Sequence, residues 1–153
     1  MLWLFKTEPA ECSIDDIANA GSQGVIWEGV RNYQARNFLR DQVSLQDQVL
    51  IYHSSCDKIG IAGLGRITAT AFADPSQFQP DSVYYDAKSN NERFAWYAVK
   101  LEFVEKFHRL LTLTELRQHE ALATMLLLKK GNRLSVMPVT KQQFELVLFL
   151  TKT

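Results

Sequence analysis

Apolar runs and alternating apolar and polar positions predict five β-strands in this chain. The clearest alternation spans residues 96–107, while residues 48–53 form the continuous apolar run of a strand that is covered on both faces. The other predicted strands cover residues 2–7, 59–72 and 134–139. Glycines at positions 60, 63 and 65 predict that the strand at 59–72 is bent, as a curled sheet requires.

Polar side chains just before apolar stretches predict where the helices begin. Ser13, Asn32, Thr112 and Thr140 each carry a side-chain oxygen that can cap a helix N-terminus. The predicted helices run from 14 to about 20, from 33 onward, from 113 toward 119 and from 141 onward, with a further helical segment at 122–128. Strands and helices do not alternate regularly, so the pattern predicts an α+β fold, a small mixed barrel with flanking helices, rather than a doubly wound sheet.

Composition bounds the size and the class of the protein. The 153 residues suit one domain over 1–153, and the 46% hydrophobic and 22% charged residues are typical of an ordinary folded protein. The 17 lysines and arginines balance the 17 aspartates and glutamates. A protein that held long nucleic-acid duplexes by charge alone would be basic overall, so any such contact is expected to be a local patch.

The positions of the cysteines and histidines bear on metal binding, and the N-terminal residues bear on the cellular compartment. Cys12 and Cys56 show no metal-ligand spacing and the three histidines are scattered, so we predict no metal and no cofactor. The apolar stretch 1–5 is too short to span a bilayer, and the start does not look like a signal peptide. We therefore expect a protein of a reducing compartment with no membrane partner.

The stretch 27–39 concentrates the side chains with distinctive chemistry: an indole, a tyrosine, two arginines and two asparagines around a glycine. An aromatic platform beside a cationic helical stripe suits a nucleobase attached to its phosphate. The same residues also fit a core indole beside solvated arginines, and the stretch alone favours neither interpretation. Helical spacing places Asn32, Arg36 and Arg40 on a polar stripe and Tyr33, Phe38 and Leu39 toward the core.

Three further stretches, 6–8, 52–54 and 133–136, lie at or near predicted strand ends, where loops converge into a mouth. His53 and Ser54 do not make a nucleophile pair, because neighbouring side chains on a strand point to opposite faces. His53 is either hydrogen-bonded at the edge of the core or part of a pocket wall. Lys6 and Glu8 share a face and could activate Thr7 or water, although a surface ion pair is the simpler account.

Several segments together resemble the EVE domain, and the likeness covers nearly the whole chain. They are 4–9, 27–40, 52–54, 60–63, 85–86 with 88–89, and 133–136, with 27–40 the most specific. The resemblance implies a PUA-like fold, a curved mixed β-barrel with flanking helices that is related to YTH domains. It also implies a non-enzymatic reader of a modified nucleobase in DNA or RNA. Glu28, Ile59 and Ala87 depart from the family, which usually has aspartate, proline and proline at these positions.

The resemblance further implies which residues bind the ligand. Trp27 would be the wall on which the base stacks, and Asn32, His53 and Ser54 would face the base edge. Lys6 and Ser135 would close the pocket, and Arg31, Arg36 and Arg133 would contact the phosphates. Tyr33 is the tenth predicted ligand-binding residue. Tyr84 and Tyr85 would form either a neighbouring wall or a packed loop. The expected partner is nucleic acid carrying a modified base. We expect a monomer, cytoplasmic for a bacterial stand-alone protein or nuclear for a eukaryotic one.

A second hypothesis is a small ASCH-like amidohydrolase that acts on acylated nucleosides. ASCH-type relatives on a similar fold use a lysine, a threonine and a glutamate near such a pocket to cleave acyl-cytidine. Lys6, Thr7 and Glu8 resemble that set, but consecutive strand positions predict that Thr7 faces away from the other two. The sequence therefore favours the binding module over the hydrolase.

Overall fold

Six strands form one mixed sheet in the computed structural model, which describes residues 1–153. They are β1 (Leu2–Thr7), β2 (Val25–Trp27), β3 (Gln48–His53), β4 (Gly60–Ala73), β5 (Tyr97–Thr112) and β6 (Val136–Pro138). Their order is β2-β5-β4-β3-β1-β6, with β1 and β3 parallel and all other neighbours antiparallel. The parallel pairing brings the C-terminal ends of β1 and β3 to the same edge of the sheet.

The two longest strands curl the sheet. The pairing of β4 with β5 shifts register at four points, and each such irregularity bends the strand and increases its twist. A side chain could not be placed at Gly63, since a Cβ there would lie 2.5 Å from the Ile14 side chain and 2.6 Å from the Glu105 carbonyl oxygen. The glycine-bent strand predicted at 59–72 is thereby confirmed.

Four helices flank the sheet, and each begins where its cap predicted. They are α1 (Ile14–Asn19), α2 (Tyr33–Asp41), α3 (Leu113–Arg117) and α4 (Lys141–Thr151). The side chains of Ser13, Asn32, Thr112 and Thr140 each accept a hydrogen bond from a backbone amide of the first turn.

Two of the predicted elements differ from the structure. The helical segment predicted at 122–128 is two separate 3₁₀ turns, Glu120–Leu122 and Leu126–Leu128, each of which buries one leucine in the core. The strand predicted to end at 107 continues to Thr112, because Leu111 and Thr112 still pair with the start of β4.

The core lies between the sheet and its helices, and its polar groups are satisfied. Asp47 accepts hydrogen bonds from the N-terminal amine at 2.8 Å, the Ser44 amide at 2.8 Å and the Trp3 indole at 2.9 Å. Burial by itself raises the pKa of Asp47, but these three donors outweigh it and hold the pKa below its usual value. Every buried side-chain nitrogen and oxygen has a hydrogen-bond partner.

Helix α2 departs from the predicted division of its faces at Tyr33. Leu39 is buried and Phe38 packs against the core as predicted, but Tyr33 is 60% exposed. Its ring stacks on Trp96, with 4.9 Å between ring centroids. Because helical side chains tilt toward the N-terminus, the side chain of the first helical residue projects beyond the helix instead of onto the sheet.

Candidate functional site

A cavity of about 530 Å³ opens where the curled sheet meets itself. Strands β1 and β2 are far apart in the hydrogen-bonded order, yet the rings of Phe5 on β1 and Trp27 on β2 lie 5.5 Å apart. We call this contact the seam, since it joins β1 to β2 by side-chain packing without strand pairing. The cavity lies beside the seam and has the size usual for a small-ligand site.

Half of the ten predicted binding residues line this cavity. They are Lys6, Trp27, Ser54, Arg133 and Ser135. The backbone holds these stretches together, since the amide of Lys6 donates to the Ser135 carbonyl at 2.8 Å and the amide of Ser54 donates to the Thr7 carbonyl at 2.9 Å. The expectation that the ends of β1 and β3 and the turn before β6 converge on one mouth is therefore confirmed.

Trp27 combines the two interpretations that the sequence left open. Its indole is only 6% exposed and belongs to the main hydrophobic cluster, where it packs at a 45° tilt against Phe5. The same residue lines the cavity, as does its neighbour Glu28. Trp27 is a core residue that presents a small part of its surface to the cavity.

Arg31, predicted to meet phosphates, is instead fully engaged by the protein. It donates to the Tyr84 carbonyl at 2.7 and 3.2 Å, the Val30 carbonyl at 3.0 Å, the Asp74 carboxylate at 2.9 Å and the Ser76 hydroxyl at 3.2 Å. A guanidinium has five N–H donors, so these five hydrogen bonds leave none for a phosphate. Arg31 does not line the main cavity.

The Arg31–Asp74 ion pair fixes the loop that carries the cavity wall. Asp74 is fully buried and also accepts from the Gly29 amide at 2.8 Å. Burial by itself raises the pKa of Asp74, but hydrogen bonds from Ser76, Gly29 and Arg31 hold it below its usual value. Gly29 has a φ of +86°, and a Cβ there would lie 2.7 Å from the Tyr84 ring. A glycine is therefore required where the loop crosses that ring.

The remaining four predicted residues also lie outside the cavity. The Asn32 side chain accepts from the Ala35 amide at 2.9 Å as the cap of α2, and Tyr33 stacks on Trp96. The Arg36 guanidinium donates to the Ala95 carbonyl at 2.7 Å and to Asn37 at 2.9 Å. His53 accepts from the Ile14 amide through Nε2 at 3.1 Å, and burial lowers its pKa because it disfavours the imidazolium. The alternative that hydrogen-bonds His53 at the edge of the core is the one observed.

Sequence reasoning missed the acidic side of the cavity. Four carboxylates line it, against the two cations Lys6 and Arg133; the carboxylates are Glu8, Glu11, Asp16 and Glu28. Burial raises the pKa of Glu28, and the nearby charge of Asp74 raises it further while Arg31 opposes both. Burial lowers the pKa of Lys6. Asp16 and Glu11 lie in or near a capped surface helix, a pattern that carries no sign of a cavity.

Tyr84 also lines the cavity and is held there by Glu11. Its hydroxyl donates to the Glu11 carboxylate at 2.5 Å. Burial, and then this hydrogen bond, raise the pKa of Tyr84 to about 12, so the phenol stays protonated at neutral pH. The sequence predicts either a neighbouring wall or a packed loop for Tyr84, and the structure places it in the lining of the cavity.

Neither the Thr7 hydroxyl nor the Cys12 thiol of the cavity is set up as an activated nucleophile. The Thr7 hydroxyl donates to the Cys12 carbonyl at 2.8 Å. Burial, followed by the charges of Asp16 and Glu11, raises the pKa of the Cys12 thiol to about 11. No group of three histidine, cysteine, aspartate or glutamate side chains is placed to hold a metal ion.

Comparison with known proteins places this fold in a family. A family model described as the EVE domain matches residues 1–150. Mouse thymocyte nuclear protein 1 is 38% identical over 168 residues, which cover 99% of this chain and 74% of that protein.

Two crystal structures superpose over nearly the whole chain. A protein from Pseudomonas syringae does so with a TM-score of 0.95 at 47% identity, covering 99% of both chains. Human THYN1, crystallised in complex with 5-methylcytosine-containing DNA, does so with a TM-score of 0.91 at 36% identity, covering 99% of this chain and 98% of that one. No helix of the chain has the length and apolar character needed to cross a membrane. The predicted PUA-like fold is confirmed, and the chain belongs to the EVE domain family.

Proposed function

We propose that the chain is a non-enzymatic binding module that takes one modified base of a nucleic acid into the cavity, with 5-methylcytosine in DNA as the first candidate. The observation that carries the proposal is the cavity of about 530 Å³, which an indole and polar groups from distant parts of the chain line together. A base turned out of its stack is recognised by such a combination of an aromatic surface and a few fixed polar groups. The DNA complex of human THYN1 supports the same ligand class.

The carboxylates favour a base that offers a hydrogen-bond donor. Cytosine presents its exocyclic amine, and glutamate and aspartate are the side chains that accept from it. Glu28 is the one of the four that directly follows Trp27 in the chain, and it lines the same cavity. A carboxyl oxygen of Glu28 can accept whether or not the group is protonated. A base carrying its own carboxylate would instead be repelled by this lining.

Fluorescence anisotropy with labelled oligonucleotides tests the proposal. Single-stranded and duplex DNA carrying one 5-methylcytosine should bind saturably and more tightly than the same DNA with plain cytosine or with 5-carboxylcytosine. Glu28→Gln should reduce the difference in affinity between the 5-methylcytosine and the 5-carboxylcytosine oligonucleotides. Glu145→Gln, on the exposed face of α4, is the matched control and should leave that difference unchanged. Equal affinity for all three oligonucleotides would contradict base recognition, and tighter binding of methylated RNA would replace DNA by RNA as the ligand.

The hydrolase hypothesis keeps one supporting observation, since Lys6, Thr7 and Glu8 all line the cavity. The hydroxyl of Thr7 is engaged with the Cys12 carbonyl, which argues against its use as a nucleophile. We therefore expect no release of acetate from N4-acetylcytidine on incubation with the protein. Release that is proportional to protein and is lost in Lys6→Ala would replace the binding module by an amidohydrolase.

A further inference from the structure

A second, smaller cavity of about 220 Å³ lies beside the first and shares the Tyr84 side with it. The residues around it are Arg31, Val83, Tyr84, Tyr85, Asp86 and Trp96. Neither the fold nor the proposed recognition of one modified base accounts for this cavity. Tyr85 is 43% exposed, whereas Trp96 is only 7% exposed, and Tyr33 and Arg31 pack against its ring. An exposed aromatic ring beside a small cavity offers a surface on which a flat base can stack.

The walls of this second cavity are held rigidly by hydrogen bonds. The Trp96 indole donates to the Asp86 carboxylate at 2.8 Å, and Tyr33 stacks on the indole from α2. The Arg31 guanidinium carbon lies 5.1 Å from the Trp96 ring centroid and 5.4 Å from that of Tyr84. Since protein groups occupy all five N–H donors of Arg31, the guanidinium has no directional bond to offer a ligand. The guanidinium packs over these two rings, so Arg31 builds the wall, and Tyr85 is the aromatic ring left exposed for a ligand.

Exposed apolar side chains gather around the two cavities. Val83 is 90% exposed and Tyr85 is 43% exposed at the second cavity, and Ile26 is 44% exposed at the first. With Tyr33 on Trp96, they make up four of the eight large hydrophobic residues that the whole surface exposes. Exposed apolar groups that cluster in this way, with polar groups at their edge, mark a binding surface.

We propose that the second cavity binds the base of the nucleotide next to the one held in the first cavity. This inference rests on the proposed function and extends it from one base to two. Tyr84 lines both cavities, so the two are adjacent, as sites for neighbouring bases of one strand must be. The second site stacks its base on the exposed ring of Tyr85. It therefore accepts any base, because every base has a flat face and stacking reads no sequence.

Calorimetric titration with a nucleotide and a trinucleotide tests the second site. The ligands are 5-methyl-2′-deoxycytidine monophosphate and a trinucleotide with 5-methylcytosine at its centre. Tyr85→Ala should weaken the trinucleotide about 5- to 150-fold, the range expected for losing one stacked base, and should leave the mononucleotide unchanged. Phe149→Ala is the matched control, because Phe149 is an exposed aromatic residue on α4 that lines neither cavity.

An abasic trinucleotide makes the test independent of any variant. With wild-type protein, removing the base on one side of the 5-methylcytosine should weaken binding by the same factor, and removing the base on the other side should not. Equal affinities for the mononucleotide, the trinucleotide and both abasic forms would overturn the second site while leaving recognition of the modified base intact. Failure of wild-type protein to bind even the mononucleotide and the trinucleotide would refute the proposed function itself.

Discussion

Replacing Arg31 by methionine tests whether this residue organises the cavity or contacts a ligand. Methionine keeps an unbranched apolar stem but removes all five N–H donors. The carboxylate of Asp74 would then stay fully buried with only the Gly29 amide and the Ser76 amide and hydroxyl as donors. The Tyr84 carbonyl would lose both hydrogen bonds that tie its loop to α2 and β2.

The size of the effect follows from the burial of the pair. Removing one partner of a buried ion pair costs about 3–5 kcal/mol of folding free energy. The Arg31 side chain is 22% exposed and Asp74 keeps other donors, so we expect the lower end, about 3 kcal/mol. At this chain length, each kcal/mol moves the melting temperature by about 2–4 °C, which gives a decrease of about 6–12 °C.

Thermal denaturation followed by circular dichroism measures this decrease. Arg40→Met is the matched control, since Arg40 pairs only with its exposed neighbour Asp41 and its loss should leave the melting temperature unchanged. Asp74→Asn in the Arg31→Met background should recover part of the loss, because a neutral amide needs no cation. An Arg31→Met protein that melts like the wild type but binds oligonucleotides weakly would refute this reasoning and restore the phosphate contact that the sequence predicts.

Two further predictions concern acid stability and the seam. The lowered pKa values of Asp74 and Asp47 contribute stability that is fully present above about pH 4, the ordinary pKa of an aspartate, and is lost as the pH falls through the lowered values. Urea denaturation at a series of acidic pH values should show this loss of folding free energy. Asp74→Asn should make the loss smaller. Trp27→Ala should lower the free energy of unfolding in the same assay by about 3–5 kcal/mol, because the indole is buried against Phe5. Trp27→Phe should remain folded. A Trp27→Ala protein as stable as the wild type would show that the indole is not a core residue.

The helix starts and most strands could be predicted because their signals are local. A capping side chain such as Ser13 or Thr140 bonds to an amide three residues away, and alternation along β5 is visible within one strand. The curl of β4 was predictable from its glycines for the same reason. Each of these features requires knowledge of only a short stretch of chain.

Arg31, Arg36 and His53 could not be placed from the sequence because each bonds to a group that is distant in the chain. Arg31 has the residue type and the position of a phosphate ligand, and only the fold shows that Asp74 and Tyr84 occupy its donors. Glu11 and Asp16 were missed in the acidic lining because nothing in their local sequence indicates a cavity. Glu11 and Asp16 look like ordinary surface residues near α1, and they line a cavity only because the sheet curls.

The seam explains why Trp27 fits both interpretations of its role. Strands β1 and β2 meet by packing alone, and Trp27, which packs on Phe5 to close the barrel, also lines the cavity. A ligand in the cavity adds contacts across this junction and should stabilise the folded protein by an amount that rises with the logarithm of its concentration. Substitutions in the Arg31–Asp74 ion pair that fixes the loop of the cavity wall, such as Arg31→Met, should therefore lower stability and affinity together. Glu28 lines the cavity, and Arg31 pairs with Asp74 rather than with Glu28, so Glu28→Gln should change affinity with little change in the melting temperature of the free protein. This difference separates the groups that build the cavity from those that recognise what it holds.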